Sequence, residues 1–329
     1  MRTAGKILWA VLAVVWLAAC GGVKTTQELQ PLTVQLRWYH QASAAGNYAA
    51  WDQGYYADQG LDVSFLPGGP EVNVIERVLS GEAQFGVTNA DTFVQAVGAG
   101  KPLVAVAVIF QRSPVGFMVL EDSDIYSPRD FVGKNIRAPQ PVQQTLATMM
   151  AKLGIEPGQY TILPDEEDLQ LFYDGSVQVW GVFVNNVPNQ VRKAGYKIRI
   201  ILPDDYGVHV PGDVIFTTQE TLTTEPEIVR KFVCATLDGW SYALEHPQEA
   251  SVLVGKFRSD FDPEHELQFL LTSLPLINPS GVHPGEFDTQ VWDAMIADLT
   301  KQGSLPAGMQ KEDFIFPDFV QEYYAGKID

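Results

Sequence analysis

The chain has 329 residues, and 40 Asp and Glu against 22 Lys and Arg give it a formal net charge of −18. With 46% apolar and 19% charged residues it has an ordinary globular composition, which excludes a largely disordered chain. The acidic surplus excludes a sequence-independent grip on DNA or RNA and disfavours anionic membrane surfaces, since both need clustered Lys and Arg. Two cysteines cannot build a disulfide framework, and the length favours two lobes over one core.

The N-terminus pairs a basic start, Arg2 and Lys6, with an uncharged apolar stretch over residues 7–19. A bilayer-spanning helix needs about 20 apolar residues, so this stretch fits a secretory signal. It ends in Leu17-Ala18-Ala19-Cys20-Gly21-Gly22, which resembles a bacterial lipobox, with Cys20 as the lipidated (palmitate-bearing) new N-terminus. An uncleaved anchor helix is the alternative. Residues 20–31 then read as a lipidated N-terminus and flexible tether. Cys234, left without a partner, lies in an apolar helical run and reads as a small buried hydrophobe.

Alternation at Leu32, Val34 and Leu36 predicts a first strand, and a loop at Arg37-Trp38-Tyr39-His40 leads to a helix ending near Gln53. Strands follow at 60–65 and 85–88, with a helix between them closed by Gly81. The apolar run 103–110 reads as a strand in the buried middle of a parallel sheet. This βαβαβαβ order predicts an open α/β sheet. A second unit has strands at 116–120, 133–137, 177–184 and 197–202, and a helix at 143–153. After a strand at 213–218, amphipathic helices are predicted at 226–245, 247–257 and 287–302.

The pattern predicts an α/β, two-lobed molecule: signal 1–19, tether 20–31, lobe I from 32–114, lobe II from 115–209, and a return to lobe I over 210–329. Crossovers near 112–115 and 205–212 form a two-stranded hinge in this reading. Ligands of open α/β sheets bind beyond the carboxyl ends of the strands, which places the site in the cleft between lobes.

Phosphate loops, dinucleotide fingerprints and the G-x-S-x-G nucleophile elbow are absent from the sequence. The five histidines have no metal-ligand spacing. Asp122-Ser123-Asp124 opens like a calcium loop but lacks its Gly and terminal Glu. Acidic clusters such as 165–168 read as solvated surface, so no catalytic or metal residues are assigned.

Leu36-Arg37-Trp38-Tyr39-His40-Gln41 and Gly54-Tyr55-Tyr56-Ala57-Asp58-Gln59-Gly60-Leu61-Asp62-Val63 resemble the opening of solute-binding proteins related to the yeast thiamine-pyrimidine synthases. Residues 80–87, Val179-Trp180, 202–209, 264–266 and 273–277 continue the likeness over nearly the whole mature chain. The resemblance implies a type II periplasmic-binding-protein fold. It also implies an ABC permease with its ATPase as partners, and a monomer on a lipid anchor at the extracytoplasmic face of the cell membrane. The yeast relatives are enzymes with a cysteine-rich motif; here the corresponding 210–217 has no cysteine, which favours a binder with no cofactor of its own.

Ligands of the family are flat nitrogen heterocycles, formylated thiamine pyrimidines and riboflavin, which need aromatic faces and a few placed polar groups. Trp38 and Tyr39 follow the first strand in a polar loop and are the first candidates to stack on a ligand. Trp180 and Tyr206 are candidates from lobe II, with packing as the alternative. Asn47 and Tyr48 offer a hydrogen bond and a further ring. Asn89 and Asp91 open a helix and either cap it or face the ligand. Asp213 either meets a ligand donor or ties down the hinge. Pyrimidine-binding relatives tend to carry an acidic residue in the loop that here reads Asn185-Asn186, so neutral amides tilt the choice towards riboflavin as the transported ligand.

Overall fold

A computed structural model describes residues 28–163 and 168–326 of the chain. The expected signal and Cys20 lie outside the described residues, as does the acidic cluster 165–168 apart from Asp168. Ten strands build two sheets: β1 (Gln30–Gln35), β2 (Leu61–Leu66), β3 (Phe85–Asn89), β4 (Leu103–Val108), β5 (Val115–Leu120), β6 (Asn135–Arg137), β7 (Thr161–Leu163), β8 (Val179–Phe183), β9 (Ile198–Ile201) and β10 (Asp213–Thr218). The first sheet has the order β2-β1-β3-β10-β4 and the second β7-β6-β8-β5-β9. The chain therefore leaves the first sheet after β4, builds the second, and returns with β10.

β1 starts at Gln30, within the segment expected to be tether, with Gln30 opposite Leu61 and Pro31 opposite Asp62. Pro31 is tolerated because β3 pairs with β1 only at Val34 and Gln35. No ladder hydrogen bond is lost at a position without a partner on that side.

β10 runs antiparallel to both of its neighbours. Its first residue, Asp213, therefore lies opposite Asn89, the last residue of β3. β4 corrects its expected position: it is an edge strand paired antiparallel to β10, not the middle of a parallel sheet. All six of its residues are nonetheless buried, because apolar cores cover both faces. Its outer edge is covered too, by bridges from Ala105 to Ile315 and Val108 to Gly285. A continuous apolar run reports burial on both faces and says nothing of hydrogen-bond order.

Of the predicted C-terminal helices, Pro226–Glu245 has the expected bounds, and Thr289–Lys301 lies within its expected range. The middle one is a short helix, Pro247–Val252, followed by a 3-10 turn at Leu253–Lys256. The helix Pro263–Ile277, capped by Asp262 through the amides of Glu264 and His265, escapes the periodicity because Pro275 sits inside it. Among the described residues no helix is long and apolar enough to cross a membrane. Cys234 is buried, and burial pushes its thiol up to about 11, as a packing role requires.

The helices Ala45–Asp52 and Pro226–Glu245 cross in close contact. A Cβ on Gly239 would stand 2.1 Å from the Gly46 carbonyl oxygen, and one on Gly46 would stand 2.2 Å from the Trp240 ring. Neither backbone can retreat, since both helices pack on the same core. Gly239→Ala is expected to lower stability by about 1–3 kcal/mol through overpacking, read from urea melts of both proteins.

Candidate functional site

The site forms where β1, β3 and β4 end and β10 begins. The ladder to β2 runs one hydrogen bond past Gln35, from the Leu36 amide to the Leu66 carbonyl at 2.9 Å. The Gln35 side chain fastens the turn that follows: its amide donates to the carbonyls of Leu36 at 3.0 Å, Leu66 at 3.2 Å and Pro67 at 3.1 Å. The neighbouring loop supports the turn from below, with the Gly68 amide donating to the Trp38 carbonyl at 2.8 Å. A Cβ at Gly68 would stand 2.4 Å from the Arg37 carbonyl, so only glycine allows this approach. Farther along, buried Glu266 accepts the Ala42 amide at 2.7 Å and fixes the start of the 3-10 turn Ala42–Ala44; burial raises its carboxyl above the usual range.

These supports present Trp38 and Tyr39 at the surface, 36% and 53% exposed, with ring centroids 5.3 Å apart and edge to face. Below them lies a pocket walled by Leu36, Val87, Ile109 and Ile215, with Asn47 and Trp240 beneath. Asn47 is buried and donates to the Tyr56 hydroxyl at 3.4 Å, which in turn pairs with Thr236 at 2.9 Å. The indole Nε1 of Trp240 is buried without a partner among the described residues.

One wall is charged. Arg37 donates through Nε to Asp213 Oδ1 at 3.0 Å and through Nη2 to Oδ2 at 3.4 Å. The side chains are only 17% and 5% exposed. The guanidinium also lies over the ring of Phe183, 5.2 Å from its centroid. Because Phe183 closes β8, this contact joins the two sheets across the cleft.

The sequence candidates separate into two groups. Trp38, Tyr39, Asn47 and Asp213 all line this pocket. Tyr48 does not: it is fully buried, stacked on Phe257 at 4.4 Å, and bonded to His40 Nδ1 at 2.9 Å, and burial raises its phenol. Asn89 precedes the helix Ala90–Gly98 at the same end of the sheet and makes no side-chain capping bond. Asp91 accepts the Thr92 amide at 2.7 Å, and burial lifts its carboxyl while Arg37 opposes the lift.

The second-lobe candidates are engaged elsewhere. Trp180 is core, packed edge-on to Phe172 with Arg137 over its ring. Asn185 is buried and donates to Ser273 Oγ at 2.9 Å, while Asn186 accepts from Gln190 at 3.2 Å. Tyr206 ends a 3-10 turn and packs against the core of the second sheet. Arg37, Phe183 and Trp240 are additions to the sequence reading. Arg37 was legible as a lone cation in the loop; Phe183 and Trp240 read like ordinary core aromatics.

Among the described residues no cluster of His, Cys, Asp and Glu could hold a metal ion. The pocket is thus lined by two exposed rings, the buried side chains of Asn47 and Trp240, and a paired charge.

A family model described as NMT1/THI5 like matches residues 41–250. The chain is similar to the formylaminopyrimidine-binding protein of Halalkalibacterium halodurans, at 27% identity over 94% of this chain and 97% of that protein. It is equally similar, at 27%, to the riboflavin-binding protein RibY of Chloroflexus aurantiacus, over 89% of this chain and 86% of that protein. In structure it matches the periplasmic aliphatic sulphonate binding protein SsuA from Escherichia coli with a TM-score of 0.69 and 13% identity, covering 87% and 92% of the two chains. The fold is thus the two-lobed periplasmic-binding-protein fold, in agreement with the two sheets.

Trp38→Ala and Tyr39→Ala are each expected to change stability by no more than about 0.5 kcal/mol, since both rings are exposed. Each is expected to weaken ligand binding about tenfold through lost stacking. Tyr48→Phe gives the opposite pattern, costing about 1 kcal/mol of stability with affinity retained. Chemical melts and calorimetric titrations of the three variants read both quantities.

Proposed function

The chain belongs to the NMT1/THI5 like family, and from that premise we propose that it is the substrate-binding component of an ABC importer that captures a flat nitrogen heterocycle, riboflavin first. The observation that carries this reading is the exposed Trp38–Tyr39 pair set over a pocket whose deeper polar groups, Asn47 and Trp240, are neutral. In this reading a heteroaromatic ring stacks on the aromatic faces, with its edge towards the neutral Asn47 side of the pocket. The nearby carboxylate of Asp213 is committed to Arg37 and that of Asp91 to Thr92, which supports a neutral ring over a protonated one. Asn185 is bonded to Ser273 and is not part of this support.

In this reading the ligand settles between the lobes, and the Arg37 contact with Phe183 couples its capture to their closure. Direct contacts already join the lobes on both flanks, Asn185 to Ser273 on one and Lys152 to Asp298 at 2.9 Å on the other. The closed molecule then delivers its ligand to a permease driven by its ATPase. A lipidated Cys20 tethers the chain, as a monomer, to the extracytoplasmic face of the membrane. No covalent chemistry is required, and Cys234, the one cysteine among the described residues, is buried away from the pocket.

A second reading replaces riboflavin by a formylaminopyrimidine, favoured by the 97% coverage of the relative bearing that name. Calorimetry of the purified chain against both compounds, with flavin fluorescence as a second readout, separates them. We expect quenched flavin emission and a riboflavin Kd below about 1 μM. Weaker riboflavin binding with tight formylaminopyrimidine binding reverses the choice of ligand, and turnover of either compound overturns the binding role.

A further inference from the structure

We propose that Asp213 is a specificity-determining residue: by occupying Arg37 it keeps small oxyanions out of the ligand pocket. The inference rests on the proposed binding role and adds what the pocket rejects. Arg37 is the sole cation among the described residues that line this pocket. A guanidinium in a largely apolar pocket is a ready receptor for a planar or tetrahedral oxyanion, because its parallel N–H groups match two oxygens at once.

Here the Nε–Nη2 edge of that fork is filled from within the chain. Asp213 takes Nε and Nη2 at 3.0 and 3.4 Å, and Phe183 covers the guanidinium at 5.2 Å. An incoming oxyanion would compete with a carboxylate that is covalently held in place and only 5% exposed. It would also meet that carboxylate's negative charge in a poorly solvated setting. A neutral heterocycle meets neither obstacle. The pair thus costs the intended ligand nothing and excludes the commoner anions of any medium.

The geometry also says what happens when the carboxylate is removed. Asp213→Asn keeps the shape but leaves a guanidinium, 17% exposed, without its hydrogen-bonded countercharge. That is unfavourable for a buried ion, and a bound oxyanion relieves it. Asp91, whose charge also acts on Arg37, is a competing carboxylate, so Asp91→Asn/Asp213→Asn is included in the test.

The experiment titrates methanesulfonate, and separately nitrate, into the full chain, Asp213→Asn, Asp91→Asn/Asp213→Asn and Arg37→Met/Asp213→Asn, in buffer free of other oxyanions. We expect at least a tenfold gain in methanesulfonate affinity in the two variants that keep Arg37, as one charge-assisted hydrogen bond supplies. The variant without Arg37 is expected to lose that gain. If Asp213→Asn is too unstable to titrate, its melting temperature is expected to rise with methanesulfonate while that of the parent chain stays fixed. Equal anion binding by the parent chain, or no gain and no thermal rescue in either variant that keeps Arg37, overturns the inference. A parent chain that binds no heterocycle, beside an Asp213→Asn that gains the anion, overturns the proposed function alone.

Discussion

A guanidinium and a carboxylate largely shielded from bulk water at the end of the first sheet fix much of what surrounds them. Arg37 and Asp213 are 176 positions apart, on opposite sides of the excursion that builds the second sheet. Either charge alone would be costly to bury, so the loop after β1 and the start of β10 must meet. Their meeting requires β10 to run antiparallel, entering the sheet at the end where its neighbours leave. It also holds the backbone that displays Trp38 and Tyr39, and it brings Phe183 of the second sheet against the same guanidinium.

A second constraint lies beneath the pocket. Gly46 and Gly239 let two helices approach until one backbone nearly touches the other. Asn47 and Trp240, their immediate neighbours in sequence, are thereby set side by side in the pocket lining. Packing and site are not separable there: the closeness that stabilises the core also positions the polar groups the pocket offers.

Much of this was legible in the sequence, and the limits have physical causes. The strands of both sheets except β7 follow from alternation and apolar runs, and the two-lobed order from their succession; β7 has only three residues, Thr161–Leu163, too few to show a period. Trp38 and Tyr39 stood out because rings in a polar loop have no core to serve. Trp180 and Tyr48 could not be sorted the same way, since an aromatic in an apolar or helical context looks alike whether it faces a ligand or a core. β4 was misplaced because burial on both faces leaves the same signature in a sheet's middle and at a covered edge. The Arg37–Asp213 pair was out of reach for another reason. Each residue is legible alone, but their contact depends on a strand direction that only the assembled sheet determines.

The pocket that results is selective by what it has already satisfied. Its one cation is paired, its amide is anchored, and its two exposed rings remain to meet a flat partner. A crystal structure of the chain with riboflavin bound tests this account most directly. The account predicts the isoalloxazine against Trp38 and Tyr39, above Asn47 and Trp240, with the Arg37–Asp213 pair intact. A ligand seated away from that pocket, or one bonded to Arg37 in place of Asp213, would contradict it.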